Sequence, residues 1–228
     1  MTLAFQALLA LAYTVLAHLS NALDRPALGA IALALLALML LLAPMARGRW
    51  WAWLALPLLL LGVRALHEAG LVRAPMLLVP VAFVALVAWW FGRSLRGGRV
   101  PLITRIVARM DDVAPEALAP DLRRYTRGLT AAWAWLLAVL ALLNLLLSVV
   151  AVPDGLLATL GAPSPLPITR TQWSWFANIS NYGVIGGFFI AEYQLRKRRF
   201  PGRYDSFLHF LRKLAALGPA FWRDFLKP

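Results

Sequence analysis

Six stretches of this 228-residue chain run for 17 to 24 residues with at most one Asp, Glu, Lys or Arg each: Leu3–Leu19, Pro26–Ala43, Trp50–Leu66, Pro75–Phe91, Leu129–Val152 and Trp173–Leu195. A hydrocarbon core about 30 Å thick is crossed by about 20 apolar residues of helix. Inside lipid the backbone must satisfy its own hydrogen bonds, which a helix does within one segment. The pattern therefore predicts an all-α fold, a polytopic membrane bundle of six transmembrane helices. Residues 1–195 form its transmembrane domain, and residues 196–228 form a basic amphipathic tail. Loop 92–128 lies on one side and loop 153–172 on the other. The first stretch lacks the basic start of a signal peptide and is read as a retained span.

Composition supports lipid over water: 61% of residues are hydrophobic and 14% charged, with a mean hydropathy of +0.71. The net charge of +13 suggests nucleic acid only for a soluble chain. Here the short loops force neighbouring helices antiparallel, and the charge sorts by side. Arg47 and Arg49, eight Arg from Arg93 to Arg127, and nine Lys or Arg from Arg196 to Lys227 share one face. Only Arg25, Arg64, Arg73 and Arg170 fall on the other. By the positive-inside rule the 19-residue side is cytoplasmic, with both termini on it. The expected setting is a bacterial cell inner membrane, crossed many times, with no nucleic-acid partner.

Two basic stretches have apolar faces. Pro101 is suited to the first turn of a short helix, in which Ile103, Ile106, Val107 and Met110 share a side. The expectation is a helix lying along the membrane surface, with Arg105 and Arg109 reaching phosphates. In the tail, Phe207, Phe210, Leu211, Leu214, Phe221 and Phe225 recur at helical spacing, while Arg212 and Lys213 offer lipid or partner contacts.

Polar side chains within spans are costly and mark function or helix association. His18 and Asn21 share a face of the first span, and Arg64, His67 and Glu68 share one of the third. Arg64 and Glu68 are spaced to pair at i, i+4. Asn144 and Ser148 in the fifth span, and Asn178, Asn181 and Tyr182 in the sixth, fall at comparable depth. If these faces converge they make a polar pocket in the outer-leaflet half, suited to a lipid headgroup. The bland alternative is interhelical hydrogen bonding. Gly183, Gly187 and Ala191 form a small-residue stripe for close helix packing, within the bundle or between copies as an oligomer. Glu192 is expected to pair with an arginine of the basic loop.

Catalytic signatures fail. Zero Cys removes thiolate chemistry and thiolate metal sites, and His18, His67 and His209 are too scattered for a metal cage. His18 and Asp24 have five intervening residues and share no helical face unless the helix ends between them. His67 and Glu68 lack the second His of a zinc protease, and there is no Gly-rich phosphate loop or nucleophile elbow. No motif calls for a cofactor or metal, and enzyme status stays open, leaning against.

Four runs together resemble one family: Pro101-Leu-Ile-Thr-Arg105, Tyr125-Thr-Arg-Gly-Leu-Thr-Ala-Ala-Trp133, Trp173-Ser-Trp-Phe-Ala-Asn-Ile-Ser-Asn-Tyr182 and Glu192-Tyr-Gln-Leu-Arg-Lys-Arg-Arg-Phe-Pro201. They are similar to bacterial inner-membrane proteins associated with aryl polyene and xanthomonadin-type pigment gene clusters. The resemblance covers the fourth span to Pro201, with Trp175 and Ile106 standing where Leu and Phe are expected. It implies an accessory to the biosynthesis or transport of aryl polyene lipids, docking acyl carrier protein or other pathway enzymes or binding membrane lipids. It carries no catalytic residues. The alternative is a lipid-modifying enzyme or lipid transporter using the outer-leaflet pocket.

Overall fold

A computed structural model describes residues 3–153, 155–166, 168–169, 172, 175, 179–200 and 212. Helices dominate: α1 (Leu3–Ala22), α2 (Pro26–Ala46), α3 (Trp50–Glu68), α4 (Arg73–Ser94), α5 (Leu102–Met110) and α6 (Pro120–Val150). After them come α7 (Leu156–Thr159), a π-helical turn Ile179–Val184 and α8 (Ile185–Arg199). Among the described residues the fold is all-α apart from one pair of two-residue strands, Ala151–Val152 and Ile168–Thr169, aligned in parallel.

Four helices, α2, α3, α4 and α6, are long and apolar enough to cross a membrane, and α1 carries a shorter apolar stretch, Leu8–Ala22. On α3, Leu54, Leu58 and Leu61 are 63% to 71% exposed. Contiguous apolar surface of that kind is foreign to a soluble monomer and suits acyl chains. At 1.5 Å per residue the 31-residue α6 is about 46 Å long, well beyond a 30 Å hydrocarbon core. Its charged residues, Asp121, Arg123, Arg124 and Arg127, are all in the Pro120–Gly128 end. Of the expected sixth span, Trp173, Ser174 and residues 176–178 lie outside the described residues, as does the tail beyond Phe200 except Arg212.

The chain divides into two compact units. The first comprises Met1–Pro80 and Leu145–Arg170. In it α2 packs on α1 and α3. Gly29 makes this possible: a Cβ there would stand 2.5 Å from Met76 Sδ, 2.9 Å from Ser20 Oγ and 3.0 Å from Val72 Cγ1. The turn into α4 closes with Gly70 at φ +71, and Leu71 N–H donates to Leu66 O at 2.8 Å across it. Asp24 takes the equivalent left-handed place after α1, at φ +52, and its carboxylate pairs with Arg73. Residues 153–172, expected to be a loop, fold further than that: α7 follows the first strand, and Ser164 Oγ donates to Val150 O at 2.7 Å. Serine and the strand pair satisfy backbone groups that a proline-rich stretch leaves open.

The second unit comprises Val81–Asn144 and Thr171–Pro228. Val107 and Ala108 of α5 are buried against Leu118 and Leu122, with Ile103 and Phe200 packed around them. Part of the apolar face of α5 thus packs on protein through Val107, while Ile106 and Met110 are only half-buried. Ser94 Oγ accepts from Leu102 N–H at 3.2 Å and Thr130 Oγ1 accepts from Ile103 N–H at 3.3 Å, so neighbouring helices cap the start of α5. Thr104 and Thr126 join hydroxyls at 2.8 Å between α5 and α6. Between α6 and α8, Trp133 meets Phe188 edge to face with ring centroids 4.8 Å apart.

Candidate functional site

The polar centre of the second unit is a triad that no short motif announces. Glu192 and Arg196, one turn apart on α8, are both buried. Arg196 donates Nε–H to Oε1 at 2.7 Å and Nη2–H to Oε2 at 2.5 Å, a bidentate pair. From α6, Tyr125 donates its hydroxyl to Glu192 Oε1 at 3.1 Å. Burial first, and then the Glu192 carboxylate, push the Tyr125 phenol up to about 12. It therefore remains a donor at any physiological pH.

Glu192 thus finds its cation on its own helix, not in the basic loop as its sequence position suggests. A buried carboxylate demands the closest bidentate donor available, and the i, i+4 position provides it without loop ordering. Around Tyr125, Phe200 stands edge-on at 5.3 Å and the Arg199 guanidinium lies 5.6 Å from the ring centroid. The pairs Tyr125–Glu192 and Trp133–Phe188 fix α6 and α8 as antiparallel neighbours.

Beside the triad, α6 and α8 enclose a groove of about 610 Å³. Leu129, Ala132, Phe188 and Ala191 line one end, while Asp121, Arg124 and Arg199 line the other. Eleven residues of helix separate Ala132 from Asp121, and the same number separate Phe188 from Arg199, so the lining extends for about 16 Å. Its volume falls within the 300–1,000 Å³ or so of small-molecule sites. One end is apolar and the other carries two guanidiniums and a carboxylate, an amphipathic slot.

The residues singled out from sequence are placed differently. In the first unit His18, Asn21, His67, Arg64 and Glu68 are all exposed. Arg64 Nε donates to Glu68 Oε1 at 2.8 Å, at the spacing that suggested the pair. Among the described residues no hydrogen bond or ion pair joins the members on α1 to those on α3. Ser148 is buried in the first unit. Asn144 is buried in the second and donates Nδ2–H to Leu140 O at 2.7 Å. Tyr182 is 78% exposed, Asn178 lies outside the described residues, and the side chain of Asn181 is not among those described.

Gly183, Gly187 and Ala191 are exposed, and among the described residues nothing lies within 4 Å of a Cβ built on Gly187. Ala191 lines the groove. Arg109 is met by Asp112 at 3.4 Å, Arg105 is also engaged, Arg212 is exposed, and Lys213 lies outside the described residues. Among the described residues no group of three His, Cys, Asp or Glu could hold a metal ion. Comparison with family models, curated proteins and solved structures finds no match.

Proposed function

We infer that this chain is a multi-pass protein of the bacterial inner membrane that holds an acyl lipid with an anionic headgroup at its cytoplasmic side. In this reading six helices span the bilayer with both termini in the cytoplasm. The protein acts as an accessory in the synthesis or transport of polyunsaturated acyl lipids of the aryl polyene type. The observation that carries the lipid-binding role is the amphipathic groove between α6 and α8.

Its orientation follows from the charge rule. The Pro120–Gly128 end of α6 and the Arg196–Arg199 end of α8 then lie at the cytoplasmic headgroup level, with the apolar end of the groove reaching into hydrocarbon. A headgroup anion at Arg124 and Arg199 would leave its chain along Leu129, Ala132 and Phe188. Binding, rather than chemistry, suits the side chains present. Three of the four or so lone-pair positions of the buried carboxylate are taken by Arg196 and Tyr125, so it serves first to join α6 and α8.

Lipid and pigment profiling of a deletion strain tests the pathway, and native mass spectrometry of the purified protein tests the site. The expected result is a co-purifying anionic acyl lipid that is lost when Ala132→Trp fills the apolar end. Retention of that lipid in Ala132→Trp overturns the groove as its site. An unchanged lipid profile in the deletion strain overturns the pathway role.

A further inference from the structure

A second concavity, of about 220 Å³, lies elsewhere in the same unit, between the loop entering α5, the turn at Pro115–Ala117 and the first turns of α6. Arg99, Arg123 and Arg127 line it, with Glu116 as the one carboxylate. All three arginines are exposed. Arg127 is steadied by donating Nη2–H to Leu95 O at 3.2 Å. Among the described residues no ion pair engages any of the three.

We propose that this pocket is a phosphate site, holding the phosphate group of a small anion or of a lipid headgroup through Arg99, Arg123 and Arg127. Guanidiniums crowded on one concavity repel one another unless an anion stands between them. Their planar forks match phosphate oxygens in bidentate geometry. Three guanidiniums against one carboxylate leave two positive charges in excess, which an inorganic phosphate dianion balances in full and a phosphodiester headgroup in part.

The neighbouring helix end does not do this work. The first two amides of α5 are already taken by Ser94 and Thr130, so recognition falls to the side chains. The volume is below the 300–1,000 Å³ or so of typical small-molecule pockets and matches a headgroup-sized anion. Nor are these the arginines that the sequence offers first for phosphate, since Arg109 is met by Asp112. The proposal does not rest on the lipid groove, whose lining shares none of these residues.

The test uses the full chain and an Arg99→Gln/Arg123→Gln variant, with Arg47→Gln/Arg49→Gln as a charge-matched control. Inorganic phosphate is titrated into protein in detergent, following the unfolding midpoint by tryptophan fluorescence, with chloride at equal ionic strength as the blank. In parallel, phosphatidylglycerol and phosphatidylcholine are competed for retention by native mass spectrometry. A saturable rise with phosphate, weakened at least tenfold in Arg99→Gln/Arg123→Gln and preserved in the control, identifies a soluble phosphate ligand. No rise, but a preference for phosphatidylglycerol that the same variant loses, identifies a lipid headgroup. Absence of both responses, or responses equal in variant and wild type, overturns the proposal. An Arg123→Lys variant keeps the charge but not the fork and is expected to bind between the two; full wild-type affinity there would overturn the bidentate geometry.

Discussion

Glu192 and Arg196 illustrate how a buried charge pair makes each partner dependent on the other. Removing one charge leaves its partner desolvated and unpaired, a loss of about 3–5 kcal/mol, whereas replacing both with apolar groups also removes the desolvation cost. Glu192→Gln is therefore predicted to lower the unfolding midpoint in detergent far more than the double change Glu192→Leu/Arg196→Leu. Tyr125→Phe removes one hydrogen bond to a charged group, a loss of about 1.5–3 kcal/mol. The phenol also carries a pH signature. Its pKa is raised from 10.0 to about 12 in the folded chain, so its stabilising contribution is complete below pH 10 and is lost as the pH climbs toward 12. A spectroscopic titration of tyrosinate should show an ionisation delayed well above pH 10 that is lost in Tyr125→Phe.

At this scale the sequence was legible only over short range. Arg64 and Glu68 pair where their spacing says, because one helix turn fixes both. Tyr125 and Glu192 are 67 residues apart, and their contact depends on which faces of α6 and α8 meet. That choice is made by packing such as Trp133 on Phe188, which no local pattern encodes.

Helix interiors in this chain accept or reject side chains according to what faces them. Gly29 and Gly62 both lie inside apolar helices, and their sequence surroundings scarcely distinguish them. A Cβ on Gly29 would press on Met76, Ser20 and Val72, whereas one on Gly62 meets nothing within 4 Å among the described residues. Gly29→Ala is predicted to destabilise the first unit by about 1–3 kcal/mol through overpacking. Gly62→Ala should stabilise it by up to about 1 kcal/mol through helix propensity alone. Opposite shifts in the unfolding midpoint check the contrast; equal shifts would refute it.

The same distinction explains α5. Its apolar stripe could be read from sequence, but not the identity of the surface it meets. Leu118 and Leu122, brought near by the turn at Pro115–Ala117, take up Val107 and Ala108. An amphipathic pattern measures the need to bury a face and is silent on whether lipid or protein buries it. The cap on α5 was equally hidden, since Ser94 and Thr130 belong to other helices. Thr130→Val is predicted to lose about 1 kcal/mol by leaving Ile103 N–H unpaired.

For the whole molecule, apolar length and the placement of arginines are two independent constraints that must agree. Among the described residues helices α2, α3, α4 and α6 satisfy the first, and in the proposed six-span arrangement the division of basic residues gives each crossing its direction. Because α2, α3 and α4 follow one another through short turns, an error in one crossing would reverse every later loop. The absence of Cys allows this to be tested without background, since any introduced thiol is the only one in the chain. Exposed, non-glycine positions at the helix ends avoid strained backbone: Ala46 and Ala114 for the face assigned to the cytoplasm, Ala69 and Leu160 for the opposite face. In intact cells a membrane-impermeant maleimide is expected to label Ala69→Cys and Leu160→Cys. Ala46→Cys and Ala114→Cys should react only after the membrane is opened. The reverse pattern would invert the protein and move both the groove and the arginine pocket to the outer face. Labelling of Ala46→Cys and Ala69→Cys alike would mean that α3 does not cross, and the charge division would then lose its basis.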